Sequence, residues 1–410
     1  MRRRVVVSGG GVVSALGNEW PAILSALRRG RNCVRRMDEW DIYPGMNTRL
    51  AAPVDYQFPP YPRKKTRGMG RISLLALSSA EGAVKMAGLA EDGRASPLLT
   101  SGRTGIAYGS CMGSVDALMD YYAMLVLNDV RKISATTYVR SMPQTCAANL
   151  EVFYGLTGRL ITANVACASG SMAVGLAYET IKSGKQDIML AGGADELSPV
   201  DAAVFDVLFA ASTKNDAPGL TPAAYDKNRD GLVVGEGAGT LILEEYEHAL
   251  RRGAPVYAEI AGFGTNTDGV HITQPNRATM SRAIALALED AGLSPDAIGY
   301  VNTHGTGTGA GDAAESWATY DIFQRPVPVS TIKNYTGHTL GACGALEAWI
   351  SINLMREGWF APNINLRELD GGCAPLDYIT GAGRELETAY VMSNNFAFGG
   401  VNTSLILKRL

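Results

Sequence analysis

The stretch TANVACASGSMAVG, Thr162 to Gly175, surrounds Cys167 with alanine, serine and glycine and with no charged neighbour. A β-favouring run, Leu160 to Val165, precedes the cysteine, and a small-residue run of helical character, Ser169 to Ser183, follows it. The pattern predicts a strand, a tight turn and a helix that begins at the cysteine. The positive end of a helix favours a thiolate, so Cys167 is a candidate nucleophile. A packed core cysteine is the alternative.

The chain has 410 residues, of which 46% are hydrophobic, and a formal net charge of −3. This length allows two domains or one large duplicated domain. The charge is not typical of a nucleic-acid-binding protein, and no apolar run reaches the ~18 residues of a membrane span. The opening MRRRVVVSGGG is interpreted as a first strand and a turn rather than a signal peptide. Six scattered cysteines without a CxxC pair favour a cytoplasmic location and predict no metal site.

Strand-like runs alternate with helical runs along the chain, which predicts an α/β fold with buried sheets. The strand ITANVA before Cys167 and the strand IGYVNT before HGTGTGAGD each lead into a small-residue turn and a helix, which suggests duplicated halves. The predicted strands are Arg4–Ser8, Thr104–Tyr108, Leu160–Val165, Asp187–Ala191, Gly239–Glu244, Val256–Phe263, Ile298–Thr303, Val327–Ile332, Tyr390–Asn395 and Val401–Leu407.

Two glycine-rich turns, SGGGVVSALG and GTGTGAGD, follow predicted strands. We interpret both as backbone turns and not as dinucleotide sites, because no convincing second strand carries the acidic residue that such sites need. Two of the four histidines, His304 and His338, also stand in turns that follow strands. Side chains at the ends of parallel strands meet at one edge of a sheet, so these histidines and Cys167 are predicted to form one site.

Over essentially its whole length the chain resembles the elongating β-ketoacyl-(acyl carrier protein) synthases of the thiolase superfamily. The matching motifs, in chain order, are VACASGSMA, DKNRDGLVVGEGAG, VHITQP, NTHGTGTGAGD, STIKNYTGHTLGACGALE and SNNFAFGGVNTSLIL. The Cys-His-His set resembles that of the elongating synthases. Initiating synthases carry Cys-His-Asn instead, and thiolases use a second cysteine as the base. The resemblance implies a duplicated five-layered α/β/α/β/α fold. It also implies an N-terminal half, residues 1–250, that carries the nucleophile and a C-terminal half, residues 251–410, that carries both histidines.

The resemblance implies a decarboxylative Claisen condensation, in which an acyl chain held on Cys167 is elongated by two carbons from malonyl-acyl carrier protein. His304 and His338 match donors to the enolate oxygen, and Lys333 matches a lysine that adds positive charge and pairs with Glu347. No metal is implied, and no cofactor other than the phosphopantetheine arm of the carrier. Acyl carrier protein is the implied partner. A homodimer is expected, with a heterodimer of homologous subunits as the alternative.

Further positions take their roles from the same resemblance. The backbone N–H groups of Cys167 and Phe398 match an oxyanion hole, and Phe398 with Gly399 and Gly400 matches a gate over the cysteine. Thr306, Thr308 and Thr273 match residues that bind the phosphopantetheine arm. The acyl pocket is expected at Met112 and Thr137, and carrier docking at Arg67, Arg71, Arg131 and Lys132.

Two other classes stay open at this point. Chain-length factors are non-catalytic homologues that usually lack the cysteine and histidines, all of which are present here. Thiolases and other acyl-CoA enzymes lack a surface that docks a carrier protein. The basic segments RKKTRGMGR and VRKIS favour such a surface here and so argue against this class. Ala135, Thr136 and Thr137 stand where familiar elongating enzymes have Pro-Phe-Phe. Together with RRMDEWDIYPGMNTRL, they favour an aryl polyene or polyketide chain over an ordinary fatty acid.

Overall fold

The computed structural model describes residues 3–91 and 94–410. The strands are β1 Val5–Val13, β2 Arg35–Arg36, β3 Leu50–Ala52, β4 Ala90–Glu91, β5 Arg94–Ala95, β6 Thr104–Gly109, β7 Leu160–Thr162, β8 Ile188–Asp195, β9 Val234–Gly235, β10 Gly237–Glu245, β11 Ala258–Thr267, β12 Tyr300–Asn302, β13 Pro328–Ser330, β14 Trp359–Phe360, β15 Asp377–Tyr378, β16 Arg384–Glu385, β17 Tyr390–Ala397 and β18 Val401–Lys408. The helices are α1 Trp20–Arg28, α2 Arg63–Thr66, α3 Arg71–Met86, α4 Val115–Leu127, α5 Ala135–Ser141, α6 Thr145–Tyr154, α7 Ser169–Lys182, α8 Pro199–Asp206, α9 Tyr246–Arg251, α10 Arg277–Ala291, α11 Gly309–Phe323, α12 Lys333–Thr336 and α13 Cys343–Glu357.

Strands of both halves of the chain join in one mixed sheet, in the order β15-β13-β12-β17-β18-β11-β1-β10-β8-β6-β7. On one side of its centre β1 pairs antiparallel with β10, and β10 with β8; β8, β6 and β7 then run parallel. On the other side β11, β18, β17, β12 and β13 repeat the same pairings in the same sequence. The half-sheets meet through a short antiparallel pairing of β1 with β11. The repeated topology confirms the duplication that the sequence suggests.

Helices cover both half-sheets and fill the space between them. Helices α7 and α13 pack against each other, and each contacts strands of both half-sheets, so they form the middle layer. Helix α3 packs on β1 and β10, and α10 packs on β11 and β18, as outer layers. Every residue of α13 from Cys343 to Met355 is buried, as a central layer requires. The predicted five-layered α/β/α/β/α fold is therefore confirmed. Within the part of the chain that is described, no helix has the length and apolar character needed to cross a membrane.

The glycines after the first valines lie inside β1, so the predicted turn at this point is wrong. A Cβ at Gly9 would lie 2.4 Å from the carbonyl oxygen of Ala83 in α3, and one at Gly10 would lie 2.2 Å from the ring of Trp349 in α13. Helices on both faces thus pack directly on the strand backbone, which only glycine permits.

The cysteine segment differs in detail from its prediction. Strand β7 ends at Thr162, three residues earlier than expected, and a 3₁₀ turn, Ala166–Ala168, precedes α7. Cys167 therefore lies two residues before the helix and not at its first residue. A second 3₁₀ turn, Leu340–Ala342, stands in the same place between β13 and α13.

These two turns identify the equivalent parts of the two halves. Ala166 and Leu340, the first residues of the turns, both adopt positive φ, 49° and 50°. The strand before Cys167 is therefore equivalent to β13, the strand before His338. The similarity between ITANVA and IGYVNT predicts instead that the strand before Cys167 is equivalent to β12, the strand before His304. This prediction is wrong by one strand. Short runs of small residues recur after several strands, so sequence similarity alone could not fix the register of the duplication.

Candidate active site

Cys167, His304 and His338 meet at one place although they follow three different strands. One ligand-type atom of each side chain lies within 4.8 Å of those of the other two, and all three residues are buried. The imidazole rings are 5.0 Å apart between centroids and nearly perpendicular. The parallel strands β7, β12 and β13 each end at this edge of their half-sheets, which places the three turns together. The predicted assembly of these residues in one site is confirmed by the geometry.

Hydrogen bonds set the tautomer of both histidines. Nδ1 of His338 accepts from the backbone N–H of Leu340 at 3.2 Å, and Nδ1 of His304 faces the Asn395 amide nitrogen at 3.5 Å. Each Nε2 therefore carries the ring hydrogen, and Nε2 of His338 is buried without a partner in the described chain. Burial, reinforced by the charge of Lys333, holds the pKa of both imidazoles well below the usual range. Both rings are neutral donors at neutral pH.

The same tautomers bear on metal binding. Cysteine and histidine are ligands that zinc prefers, and the three atoms lie close enough to suggest such a site. A zinc ligand, however, needs a free lone pair on the nitrogen that faces the metal. In both rings the nitrogen without hydrogen is Nδ1, and its lone pair already accepts from a hydrogen-bond donor. In this tautomer neither ring has a nitrogen lone pair that is free to bind a metal.

Burial dominates the electrostatics of Cys167. It raises the pKa of the thiol to about 11, against the positive charge of Lys333 and the backbone N–H groups of Phe398 and Cys167, which lower it. The loss of water around the sulfur therefore outweighs the groups that favour a thiolate at this position. The two N–H groups that hydrogen-bond the sulfur are those matched to the oxyanion hole.

Lys333 and Glu347 form a buried ion pair near Cys167, His304 and His338. Nζ of Lys333 lies 2.5 Å from Oε1 of Glu347, as expected, and both side chains are almost completely buried. Asn302 and Asn395 donate to the other carboxylate oxygen at 3.3 and 2.9 Å. Burial opposes the charge of Lys333, but the sulfur of Cys343 and the Glu347 carboxylate beside it raise its pKa above the ordinary value. The lysine therefore keeps its proton and supplies a fixed positive charge.

Two carboxylates that the sequence analysis missed shape the turn that carries His304. Glu315 accepts from the backbone N–H groups of His304 and Gly305 at 2.6 and 2.7 Å, and Asp312 accepts from those of Thr306 and Gly307. Burial raises the pKa of Glu315 to about 7 and that of Asp312 to about 6. The signal was present, since both acids stand in the first two turns of the helix that follows the glycine-rich turn.

One pocket connects Cys167 and both histidines with the surface and encloses about 1000 Å³ including its open mouth. The three threonines predicted to bind the phosphopantetheine arm all line it. Thr306 and Thr308 are joined through their hydroxyl groups at 2.9 Å, and Thr273 lies in the loop at the mouth. No lysine or arginine of the described chain lines this pocket. The hydroxyl and amide groups of the lining fit a long, weakly polar arm, and Asp268 and Glu315 also line the pocket.

Phe398, Gly399 and Gly400 form the turn between β17 and β18, over the pocket. The ring of Phe398 packs against that of Phe205 at 5.4 Å between centroids. Gly399 and Gly400 both adopt positive φ, and a Cβ at Gly400 would lie 2.8 Å from the side chain of Asp268. The turn is tied to the mouth loop because the N–H of Gly399 donates to the carbonyl of Ile272 at 2.8 Å. An aromatic side chain on a glycine turn is thus coupled to a second loop.

The two residues expected in an acyl pocket do not line the pocket that reaches Cys167. Met112 lies half-buried in the loop after β6. Thr137 is buried at the start of α5, where its hydroxyl belongs to a capping box with Ser134 and lies 3.3 Å from Asp120. Their assignment to an acyl pocket stays a prediction.

The basic residues expected to dock the carrier protein differ in their surroundings. Arg71 is engaged by Glu236, a buried carboxylate that accepts from Nε and from Nη2 at 2.8 and 2.6 Å. Arg71 is therefore held by an ion pair although its side chain is 39% exposed, and its assignment to carrier docking stays a prediction. Arg131 is exposed and pairs with Asp129 beside it, whereas Arg67 and Lys132 are exposed.

The duplicated layers and the buried Cys-His-His-Lys cluster define a thiolase-like condensing enzyme. Models described as β-ketoacyl synthase, N-terminal domain and C-terminal domain match residues 2–249 and 257–367. The chain belongs to the β-ketoacyl synthase family.

Individual relatives are similar over the full length. The chain is 36% identical over 419 residues to 3-oxoacyl-[acyl-carrier-protein] synthase 2 of Vibrio cholerae, with all of both chains covered. A β-ketoacyl synthase from Burkholderia phymatum STM815 superposes with a TM-score of 0.97 at 54% identity, and the ishigamide ketosynthase/chain length factor with 0.89 at 32%, again over all of each chain. The chain is thus an enzyme of the ketosynthase type.

Proposed function

We propose that Cys167 accepts an acyl chain from the phosphopantetheine thiol of an acyl carrier protein. The Cys167 sulfur attacks the thioester carbonyl, a new carbon–sulfur bond forms, and the bond to the phosphopantetheine sulfur breaks. The departing sulfur takes up the proton that Cys167 releases, so the transfer is balanced. The backbone N–H groups of Cys167 and Phe398, which lower the pKa of the Cys167 thiol, stabilise the oxyanion that forms on the attacked carbonyl.

The second half-reaction uses the two neutral histidines. Malonyl-acyl carrier protein loses CO2, and the electron pair of the broken carbon–carbon bond forms an enolate. Its carbon attacks the thioester on Cys167, the new carbon–carbon bond forms, and the carbon–sulfur bond to the cysteine breaks. The cysteine leaves as a thiolate and takes one proton from water, which balances the loss of the malonyl carboxylate as CO2. Nε2–H groups of His304 and His338 donate to the enolate oxygen, and Lys333 adds a nearby positive charge. The observation that carries this proposal is that one ring nitrogen of each histidine and the Cys167 sulfur lie within 4.8 Å of one another at one buried pocket.

A set of three variants tests the assignment. Cys167→Ala should abolish the acyl-enzyme adduct seen by intact-protein mass spectrometry. His304→Ala and His338→Ala should still form the adduct but lose ~10²–10³ in the rate of malonyl decarboxylation and condensation, the usual cost of a positioned donor. Tyr257→Phe, a change outside the pocket, serves as the control. An adduct that persists on the alanine variant, or histidine variants that condense at the wild-type rate, would show that the roles are wrong.

A partner subunit is the second part of the proposal. Helix α4 exposes Met119, Tyr122 and Leu125 on one side, with 59%, 59% and 73% of each residue accessible. A row of large apolar side chains on one helix is typical of a surface that another protein covers. We infer a homodimer, with a heterodimer as the alternative that the ketosynthase/chain length factor relative suggests. Analytical ultracentrifugation of the wild type and of Leu125→Glu distinguishes a dimer from a monomer.

The identity of the acyl chain rests on the sequence alone. We infer an aryl polyene or polyketide chain from the Ala-Thr-Thr run and the N-terminal segment, with a fatty acid as the alternative. Mass spectrometry of the adducts on Cys167, in protein purified from its native cells, identifies the acyl chain. The division at residue 250 and the cytoplasmic location also stay predictions, and the repeated strand pairings support the division.

A further inference from the structure

Asn395, in β17, connects several parts of the site and has no role in the function proposed above. Its side chain is completely buried. The amide nitrogen Nδ2 lies 2.9 Å from Oε2 of Glu347, 3.5 Å from Nδ1 of His304 and 3.5 Å from Sγ of Cys343. One side chain therefore connects the Lys333–Glu347 ion pair to the ring of His304.

The orientation of this amide follows from its neighbours. The carboxylate of Glu347 only accepts hydrogen bonds, so the atom of Asn395 that faces it must be the NH₂ group. The opposite atom, Oδ1, makes no hydrogen bond in the described chain and lies against Gly344, where a Cβ would approach it to 2.7 Å. The NH₂ group therefore also faces Nδ1 of His304, which must be the acceptor.

The two histidines thus reach the same tautomer by different means. The Nδ1 atom of His338 accepts from a backbone N–H, that of Leu340, which only a substitution by proline would remove. The Nδ1 atom of His304 faces a side chain instead, and Asn395 is the only hydrogen-bond partner of that ring in the described chain. The tautomer of His304 is therefore the one that an ordinary side-chain substitution can change.

We propose that Asn395 is a positioning residue that holds His304 in the tautomer with hydrogen on Nε2 and fixes its ring relative to the Lys333–Glu347 pair. Asn395 acts through His304 and does not face the pocket. This inference rests on the proposed role of His304 as a donor to the enolate oxygen. Without the amide, hydrogen can move to Nδ1, and Nε2 then presents a lone pair to the developing negative charge.

The test compares Asn395→Leu, which has nearly the same shape, with Asn395→Ser, which restores a donor. Asn302→Leu is the matched control, because Asn302 is also buried and donates to the same carboxylate oxygen but does not contact the ring of His304. The expected result for Asn395→Leu is normal acyl loading of Cys167 and a fall of about tenfold or more in kcat for condensation, with KM little changed. Asn395→Ser should recover part of the loss.

A direct readout is the tautomer itself. The chain has four histidines, so ¹⁵N shifts of the ring nitrogens can be assigned in histidine-labelled protein with His304→Ala as reference. We expect Nδ1 of His304 to be the unprotonated nitrogen in the wild type and in Asn302→Leu, and to gain hydrogen in Asn395→Leu. An unchanged tautomer in folded Asn395→Leu overturns the inference. If His304→Ala itself condenses normally, the proposed role of His304 fails instead, so the two failures are distinguishable.

Discussion

At the scale of the residue, the site works against the ionisation of its own nucleophile. Cys167 is surrounded by protein, and the loss of water raises the thiol pKa to about 11 despite nearby positive charge and two backbone donors. Reactivity at neutral pH must then come from the small thiolate fraction and from preorganised donors that stabilise the oxyanion once attack begins. A protonated resting thiol is also less prone to oxidation, because the thiolate is the species that oxidants attack.

The pKa of Cys167 predicts how its reactivity depends on pH. Below the pKa, the thiolate fraction of a thiol grows tenfold per pH unit. We therefore expect the rate of alkylation by iodoacetamide at Cys167 to rise about tenfold per unit from pH 6.5 to 9.5, as measured by peptide mass spectrometry. The double variant Lys333→Met/Glu347→Gln, which removes the ion pair as a unit, should react more slowly at each pH. A rate that levels off below pH 8 would show that the thiolate is stabilised far more than burial allows.

At the scale of the element, strand ends and the turns after them deliver every reactive group. The 3₁₀ turns Ala166–Ala168 and Leu340–Ala342 place Cys167 and the segment after His338 symmetrically against each other, and the β17–β18 turn covers them. That last turn contains Phe398 between Ala397 and two glycines of positive φ. The backbone freedom of glycine allows such a turn to change conformation when an acyl chain arrives.

This turn is predicted to order the two half-reactions. If Phe398 excludes malonyl-carrier protein until Cys167 is acylated, Phe398→Ala should keep acyl loading but release CO2 from malonyl-carrier protein without any acyl donor. Gly399→Ala is the control for backbone freedom, since a Cβ there meets nothing within 4 Å but its φ is +89°. It should slow turnover without unprimed CO2 release. If unprimed decarboxylation does not rise in folded Phe398→Ala, the ring belongs to ordinary packing against Phe205.

At the scale of the whole molecule, the basic surface separates into charges that hold the fold and charges that are free to meet a partner. Arg71 and the buried Glu236 form a two-point ion pair, whereas Arg67 and Lys132 face solvent. Removal of one partner of a buried pair destabilises a protein, whereas the loss of an exposed charge changes stability little. Exposed charges instead contribute to the rate at which a charged partner associates.

Substitutions of the exposed charges and of Arg71 should therefore differ in their effects on carrier-protein binding and on stability. Arg67→Glu/Lys132→Glu is expected to raise KM for acyl-carrier protein, with a weaker salt dependence, and to leave both the melting temperature and the use of small thioester mimics unchanged. Arg71→Met should instead lower the free energy of unfolding by roughly 1–3 kcal/mol, the usual cost when a buried acceptor, here the Glu236 carboxylate, loses a hydrogen-bond partner. If Arg67→Glu/Lys132→Glu lost activity equally with acyl-carrier protein and with small thioester mimics, this result would contradict docking at this surface.

The sequence by itself determined the fold class and predicted the candidate reactive residues. Small residues around Cys167, histidines in turns after strands and the order of the motifs carry that information locally, because a nucleophile needs space and a strand end exposes its turn. Tertiary structure decided the rest. The register of the duplication, the glycines inside β1 and the engagement of Arg71 by Glu236 depend on packing between distant segments. So do the carboxylates of Glu315 and Asp312, the amide of Asn395 and the burial that raises the pKa of Cys167. Desolvation and hydrogen bonding are set by neighbours in space, and no local pattern of residues records them.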